Sequence, residues 1–337
     1  MTVISDNEIL VNLEHFNDKD DGIKRDAIES LNGVKDARIL FPLIKALQEE
    51  DQGVQQAAVD ALISFDDEAA VYNVIPLLFD NRVNVRNMAQ EILEHIGGSG
   101  VKLMGLHIKD KDENVRKMIA DILGKIKGEE STSLLLEMVA DSNNNVRSSA
   151  AEGLGRVGDS SAVEHLIKLL NDDEWVAFFA AVALGKIGDI RAIRPLLQFI
   201  KSSSDYLQIT GIEALGQVCS DKYVDDFICC LEYVSPSAKI TVVENLIKIT
   251  HGNLEKVPDN FVNDKLFNYI AEIINKNEVN DFDSKKDFIQ ALLKLNSKDS
   301  SEYILKLLTG VESDNQDIII NAIEALKLLG DEDTLIN

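Results

Sequence analysis

The chain has 337 residues, with 58 aspartates and glutamates against 34 lysines and arginines, and a formal net charge of −24. So acidic a chain repels a phosphate backbone over most of its surface, which argues against nucleic acid as a partner. No long apolar run is present, so no membrane span is expected. The first residues show no export signal and the three cysteines make no disulfide framework, so a cytoplasmic location is expected.

A helical apolar pattern recurs along the chain every 30 or 31 residues. It is clearest in DKDENVRKMIADILGKIKG, residues 110–128, where apolar residues are three and four positions apart. The first apolar residue of each copy is called the anchor here. A leucine stands eight residues after each anchor, and a small residue usually stands four after it. The anchors are Ile23, Val54, Val85, Val115, Val146, Val176, Leu207 and Ala238.

Each unit also contains an earlier amphipathic stretch, as in residues 37–47 and 191–200. A polar loop separates this stretch, helix A, from the helix that carries the anchor, helix B. Neither helix can bury its apolar stripe alone, so neighbouring units must stack. The pattern predicts an all-α protein, a right-handed α-solenoid of about ten two-helix repeats of about 31 residues.

The first eight repeats occupy residues 1–250, and the period then breaks. Residues 251–264 are predicted to be an insertion. Ser284 and Ile318 resume the pattern as ninth and tenth anchors, so residues 251–337 are predicted to continue the same solenoid irregularly with two degenerate repeats. The last residues begin another helix A, which forms either a short cap or the start of a further repeat in a longer protein.

These units resemble HEAT repeats, in the short bacterial and archaeal form also found in phycobilin lyase subunits. The motif D-x-x-x-x-V-R-x-x-A-x-x-x-L-G-x-I-G-D is best matched by residues 141–159. The resemblance implies a ladder between neighbouring units, formed by the aspartate before helix B and the arginine inside it. Three pairs match: Asp80 with Arg86, Asp110 with Arg116, and Asp141 with Arg147. Gln55, Ala177 and Gln208 replace the arginine elsewhere, so the ladder should be interrupted there.

No spacing typical of a catalytic, cofactor or metal site is present in the sequence. Glu94-His95 has no second copy that would complete a metal-binding pair of the kind that helical metal hydroxylases of this repeat class use. Cys229 and Cys230 lie in a predicted helix A, where small buried side chains are expected. The ladder arginines could form a basic track for nucleic acid, but each has an aspartate partner. The sequence therefore predicts a protein that is not an enzyme and needs no cofactor or metal.

A candidate partner-binding surface lies on helix B, at positions two, three, six and ten after the anchor. Most residues there are polar, but the sixth repeat has aromatic ones, and an exposed aromatic cluster is typical of a binding surface. Alternatively, Phe178 or Phe179 packs into the core between repeats. The candidate residues, which combine apolar and basic side chains, are Met88, Met118, Trp175, Phe178, Phe179, Val182, Tyr206, Ile209, Lys117, Lys125, Arg156 and Lys186.

Three functions are compatible with this pattern. The first is a scaffold or adaptor that holds a helix or extended segment of another protein in its concave groove. The second, suggested by the repeat type alone, is a phycobilin lyase-like subunit that handles a chromophore. The third is a HEAT-like DNA glycosylase, which needs a basic concave face and is disfavoured by the net charge of −24. The identity of the partner cannot be read from the sequence.

Overall fold

The computed structural model describes residues 4–65, 67–254, 257, 264–275, 282–295, 299–308 and 316–329. Within these ranges the chain is helical or lies in the turns between helices, and they contain no β-strand. None of the described helices is both long and apolar enough to cross a membrane. The predicted all-α class is confirmed.

The chain divides into two compact units, residues 1–165 and residues 166–337. The helices of the first unit are α1 (Asp6–His15), α2 (Asp21–Ser30), α3 (Ala37–Ala46), α4 (Gln52–Phe65), α5 (Glu68–Val74), α6 (Val83–Ile96), α7 (Val101–Gly105), α8 (Glu113–Leu123), α9 (Glu129–Met138) and α10 (Asn144–Val157). Helices of even number are the B helices, and a short 3₁₀ helix, Ile75–Phe79, extends α5.

The next helix, α11 (Val163–Leu169), contains the division between the units. The helices of the second unit are α12 (Glu174–Ile187), α13 (Ile193–Ser202), α14 (Asp205–Val218), α15 (Val224–Cys229), α16 (Pro236–Thr250), α17 (Asp264–Asn275), α18 (Phe282–Leu295), α19 (Ser300–Leu308) and α20 (Gln316–Leu328). The 3₁₀ turns Ile190–Ala192 and Cys230–Glu232 adjoin α13 and α15.

The repeat positions read from the sequence form the core. All eight leucines that follow the anchors are fully buried, and seven of the eight anchors are buried as well. The exception is Ile23 in α2, which is 41% exposed. It belongs to the first repeat of the described chain. The anchor and its leucine therefore mark the helix B surface that packs between repeats.

The irregular continuation over residues 251–337 stays a prediction, although part of it is described. Residues 255, 256 and 258–263 of the predicted insertion lie outside the described residues. Beyond them, α17 to α20 form two further pairs of A and B helices. Leu292, Ile318 and Leu326, which are the expected anchor and leucine positions, are all buried.

A polar residue before several of the B helices fixes where the helix begins. The side chains of Asp112, Asn143 and Asp173 accept hydrogen bonds from backbone N–H groups of the following helix and so act as N-caps. At the other end, Gly188 ends α12 with a φ of 71°, a left-handed conformation that glycine adopts without strain. These two signals fix the register of α12 and thus the direction in which its aromatic side chains point.

Glycine allows neighbouring B helices of the first unit to approach closely. A Cβ atom on Gly124 would lie 2.5 Å from the Cα atom of Gly153, which is closer than real Cβ contacts allow. Gly124 ends α8 and Gly153 lies in α10, so the backbones of these two helices touch where side chains would hold them apart. Glycine at both positions therefore permits this close approach.

Candidate binding surface on the B helices

The candidate residues divide between the two units, with seven in the second unit and five in the first. In α12 the anchor Val176, Ala180 and Leu184 are buried and face the core. Phe178, Phe179 and Val182 lie beside them on the helix and are half-buried. The register of α12 therefore turns three large apolar side chains partly toward solvent.

Four rings from α12 and α14 form one group, the aromatic cluster, which consists of Trp175, Phe178, Phe179 and Tyr206. The centroids of Phe178 and Phe179 are 5.2 Å apart in an edge-to-face arrangement. Phe178 also stacks on Tyr206, with centroids 5.5 Å apart and planes 11° apart. Trp175 packs edge-on against Phe178 at 5.9 Å and lies 6.4 Å from Phe179. These distances and angles are those preferred by interacting aromatic pairs.

The cluster is open to solvent through its outer rings. Trp175 is 62% exposed and Tyr206 is 57% exposed, whereas the two phenylalanines between them are half-buried. Phe178 and Phe179 are therefore neither fully in the core nor fully on the surface. Their rings pack against Trp175 and are still partly accessible to solvent. An exposed pair of large rings held in place by other rings is a preformed apolar surface.

Apolar side chains continue this surface across the B helices of the second unit. Phe178, Ile209 and Ile240 each stand two residues after the anchor, on α12, α14 and α16. All three are half-buried. Ile240 was not among the residues selected from the sequence, although its position two residues after Ala238 marks it. Lys186, near the end of α12, is exposed and makes no ion pair among the described residues.

The corresponding face of the first unit is different, because its basic residues are paired. Lys117 bonds to Asp121 at 2.7 Å, Lys125 to Glu94 at 2.7 Å, and Arg156 to Glu152 at 2.6 Å. The three basic candidate residues of this unit are therefore each neutralised by an acidic neighbour, and their part in a mixed apolar and basic surface stays a prediction. Met88 and Met118 are half-buried there and belong to no aromatic group among the described residues.

The ladder is formed differently from the pairing that the motif implies. Arg116 donates two hydrogen bonds to the carboxylate of Asp141, at 2.7 and 2.9 Å, and Asp141 belongs to the next repeat. Its remaining contact with Asp110 is to the backbone carbonyl, at 2.7 Å. The pairing of Arg116 with the carboxylate of Asp110 is therefore wrong by one repeat. Arg116 of one repeat therefore holds Asp141 of the following repeat.

The other two predicted pairs also use backbone carbonyl groups. Arg86 donates to the carbonyl of Asp80 at 2.7 Å, and Arg147 donates to that of Asp141 at 2.8 Å. The carboxylate of Asp80 is bound instead by Arg82, two residues further on, through two bonds of 2.9 Å. A guanidinium group two residues from an aspartate reaches it without any help from the fold, so this pairing is local.

The interruptions of the ladder are confirmed. Ala177 is buried and offers no polar group at the arginine position of α12. In α14, Gln208 uses its side-chain oxygen to accept a hydrogen bond of 3.0 Å from the backbone N–H of Ser235 in the next repeat. Gln55 in α4 instead donates to the backbone carbonyl of Glu49 at 2.7 Å. Among these three positions, only Gln208 supplies a neutral amide link to the next repeat.

The charge of Asp141 is stabilised by its hydrogen bonds. Burial acts to raise the pKa of Asp141, but hydrogen bonds from Arg116 and the N–H of Asn143 outweigh it, so the pKa lies below its usual value. The side-chain bonds from Arg82 to Asp80 lower the pKa of that partly buried carboxyl to about 2. These hydrogen bonds therefore favour the ionised forms of Asp141 and Asp80.

The cysteines form no exposed pair. Cys219 and Cys230 are buried, while Cys229 is exposed. Burial raises the pKa of Cys219 to about 12 and that of Cys230 to about 11, so both thiols stay protonated at neutral pH. In the described part of the chain, no three histidine, cysteine, aspartate or glutamate residues gather as a metal site would require.

Comparison with known proteins identifies the repeat. A family model described as HEAT repeats matches residues 9–94, 74–152 and 135–216, which together extend over more than half of the chain. The chain belongs to the HEAT-repeat family. The resemblance that the aspartate and arginine motif carries is thereby confirmed. No curated protein sequence matches the chain significantly.

Several solved structures are similar to the chain at low sequence identity. A crystal structure of importin beta is 12% identical with a TM-score of 0.58, over 95% of this chain and 54% of that chain. An engineered protein is 18% identical over 96% of this chain and 99% of that chain, with a TM-score of 0.48. The complex of CpcE and CpcF of phycocyanin lyase from Nostoc sp. is 17% identical over 72% of this chain and 94% of that chain, with a TM-score of 0.32.

The likeness to importin beta shows a shared α-solenoid fold, and this HEAT-repeat chain spans about half the length of that chain. The other two TM-scores are lower, and neither likeness bears on function.

Proposed function

We propose that the protein is a non-enzymatic interaction scaffold whose second unit binds a segment of another protein on the exposed faces of α12, α14 and α16. The observation that carries this proposal is the aromatic cluster, with Trp175 62% exposed and Tyr206 57% exposed. HEAT repeats and related solenoids present extended helix surfaces to protein partners, so a scaffold role fits the family.

The energetic reason is that the exposed rings have no apolar cover of their own. Removing apolar surface from water contributes about 25 cal/mol for each Å² that a partner buries. Tryptophan and tyrosine are the residues that most often dominate binding energy at protein interfaces. Because Phe178 stacks on Tyr206 and packs against Trp175, the rings are ordered before binding, which lowers the entropy cost of association.

The size of the surface suits a short segment. Phe178, Ile209 and Ile240 occupy the same register on three successive B helices, and packed helices lie about 8–10 Å apart. The apolar row is therefore about 20 Å long, which corresponds to about six residues of extended chain or about two heptads of helix. A partner segment crossing the B helices would place one apolar side chain at each of these positions.

The experiment compares two double variants with equally exposed aromatic residues. Trp175→Ser with Tyr206→Ser removes the outer rings of the cluster. Phe41→Ser with Tyr72→Ser removes rings that are 75% and 71% exposed on the A helices of the first unit and serves as the matched control. Proteins captured by each tagged variant are quantified by mass spectrometry, and the affinity of the captured segment is then measured by calorimetry.

The expected result is that the partner bound by the wild type and the control binds the cluster variant at least about tenfold more weakly, because interface aromatics contribute about 2 kcal/mol or more. All variants should have melting temperatures near that of the wild type, since the substituted residues are exposed. Equal binding of the partner by the cluster variant and the control would show that the aromatic cluster is not the binding site.

A further inference from the structure

The charges that surround the aromatic cluster are negative. Glu174 directly precedes Trp175 and Asp205 directly precedes Tyr206, so each exposed ring is adjoined in the sequence by a carboxylate in the first turn of its helix. Both carboxylates are exposed, and neither forms an ion pair within the described chain. Lys186 lies eleven residues from Trp175, about 17 Å along α12. Lys201 instead lies over the ring of Tyr233, with its Nζ atom 5.8 Å from the centroid.

Two other tyrosine rings of the second unit have a lysine ammonium group over them. Lys306 lies over Tyr303 with its Nζ atom 4.3 Å from the ring centroid, and Lys201 covers Tyr233 in the same way. The faces of aromatic rings carry negative charge density and attract cations, most strongly in tryptophan. Among the described residues no lysine or arginine occupies this position over Trp175 or Tyr206. Two exposed rings with carboxylates beside them thus lack the cation that their chemistry favours.

We propose that the segment bound by the cluster is basic and carries an arginine whose guanidinium group stacks on Trp175 or Tyr206 and bonds to Glu174 or Asp205. This inference rests on the scaffold function proposed above and specifies the chemistry of the partner. Arginine fits better than lysine because its planar guanidinium group can stack on a ring while it donates paired hydrogen bonds to a carboxylate. The net charge of −24 adds a long-range attraction for a basic segment.

Glu174 and Asp205 can stabilise their own helices and still bind an arginine of the partner. Acidic residues at a helix N-terminus stabilise the helix through its dipole, and Glu174 and Asp205 do so here. The interaction acts through space and leaves the carboxylate oxygens free to accept hydrogen bonds. An arginine of the partner can therefore bind them without breaking a contact of the folded protein.

The test uses three fluorescent synthetic peptides on the full chain. The peptides share the same leucine and alanine positions and differ only at their charged positions, which are all arginine, all lysine or all glutamate. Binding is measured by fluorescence anisotropy to the wild type, to Glu174→Gln with Asp205→Asn, and to a control, Glu68→Gln with Glu129→Gln. The control also removes two exposed first-turn carboxylates, from α5 and α9 of the first unit, so it changes the net charge equally.

The arginine peptide is expected to bind the wild type several-fold more tightly than the lysine peptide and about a hundredfold more tightly than the glutamate peptide. The Glu174→Gln with Asp205→Asn variant should lose about tenfold in affinity for the arginine peptide, while the control loses less than about twofold. Added salt should weaken the binding of the arginine peptide to the wild type.

Three outcomes overturn the inference. If no peptide binds, or if the arginine and glutamate peptides bind equally, the partner is not recognised by its positive charge. If the carboxamide variant and the control lose the same affinity, the attraction comes from net charge and not from these two carboxylates.

The variant Trp175→Ser with Tyr206→Ser separates the proposed scaffold site from the proposed preference for arginine. If all three peptides bind the wild type equally and this variant binds them more weakly, the aromatic cluster is the scaffold site but does not select arginine. If this variant binds the peptides as tightly as the wild type does, the aromatic cluster is not the scaffold site.

Discussion

The exposed faces of the B helices carry ion pairs in the first unit and aromatic rings in the second. In the first, Lys117 and Arg156 are each bound by a carboxylate four residues away on the same helix. In the second, Trp175 and Tyr206 are exposed and the carboxylates beside them are unpaired. Both units share the same buried anchor and leucine positions, so the difference does not follow from the fold.

This contrast indicates where binding energy is available. A surface whose charges are already paired gains little from a partner, because new contacts must replace existing ones. A surface with exposed rings gains from every partner atom that excludes water. The repeat supplies both surfaces from one backbone, and the residues directly before the anchor and at positions two, three and six after it decide between them. Function is therefore to be sought where these residues depart from the polar pattern.

The largest expected effect tests whether the phenylalanines belong to the core or to the surface. Phe178→Ser with Phe179→Ser should lower the free energy of unfolding by about 4 kcal/mol, because emptying a fully buried phenylalanine site costs about 3–5 kcal/mol and each ring is only half-buried. Chemical denaturation monitored by circular dichroism measures the change. Trp175→Ser is the control and should change the free energy of unfolding by less than about 0.5 kcal/mol.

A loss near 8 kcal/mol would show that both rings are core residues and that the surface comprises only Trp175 and Tyr206. A loss below about 1 kcal/mol would show that the rings are surface residues that do not support the cluster.

The fold could be predicted from the sequence because burial imposes a spacing. The anchors and leucines recur every 30 or 31 residues, and a stacked two-helix unit is the structure that buries all of them except Ile23. The four aromatic residues could be selected for the same reason, since their distance from the anchor fixes their side of the helix. Their mutual stacking and their exposure could not be predicted, because these depend on how far apart the B helices lie.

The ladder shows a second limit of prediction from the sequence. The aspartates and arginines of the ladder repeat with the period of the fold. From the sequence alone, an arginine can therefore be paired equally well with the aspartate of its own repeat or with that of the next repeat. The side chain decides between them. The Nη1 atom of Arg116 reaches the backbone carbonyl of Asp110, and the other side of its guanidinium group faces the carboxylate of Asp141.

A smaller effect is expected at this ladder. Arg116→Ala should lower the free energy of unfolding by about 2 kcal/mol, because it removes two charge-assisted hydrogen bonds from Asp141 at a site where both side chains are nearly buried. Arg82→Ala is the control in the same unit, where the arginine is 45% exposed, and should cost less than about 1 kcal/mol. Equal losses in the two variants would mean that the ladder adds no more stability than a surface pair.

The pH dependence of the ladder has a definite sign. The pKa of Asp141 in the folded protein lies below its unfolded value of about 3.9, so the folded state favours the ionised carboxylate. The stability that it contributes is fully present above that unfolded pKa and is lost as the pH falls through the folded pKa. Asp141→Asn should therefore be less stable than the wild type at pH 7, with the difference shrinking below about pH 4. Denaturation of both proteins across this range measures it.

The smallest expected effect concerns the paired surface of the first unit. Lys117→Ala should change the free energy of unfolding by less than about 0.5 kcal/mol, because its pair with Asp121 is partly exposed and joins residues four apart on one helix. A double-mutant cycle with Asp121→Ala isolates the pair and should give a coupling of about 0.3–0.5 kcal/mol. Neither substitution should alter partner binding, since this lysine is already neutralised. A tenfold loss of partner affinity in Lys117→Ala would show that the partner also contacts the first unit, and the contrast between ion-paired and aromatic faces would then not mark the limits of the binding surface.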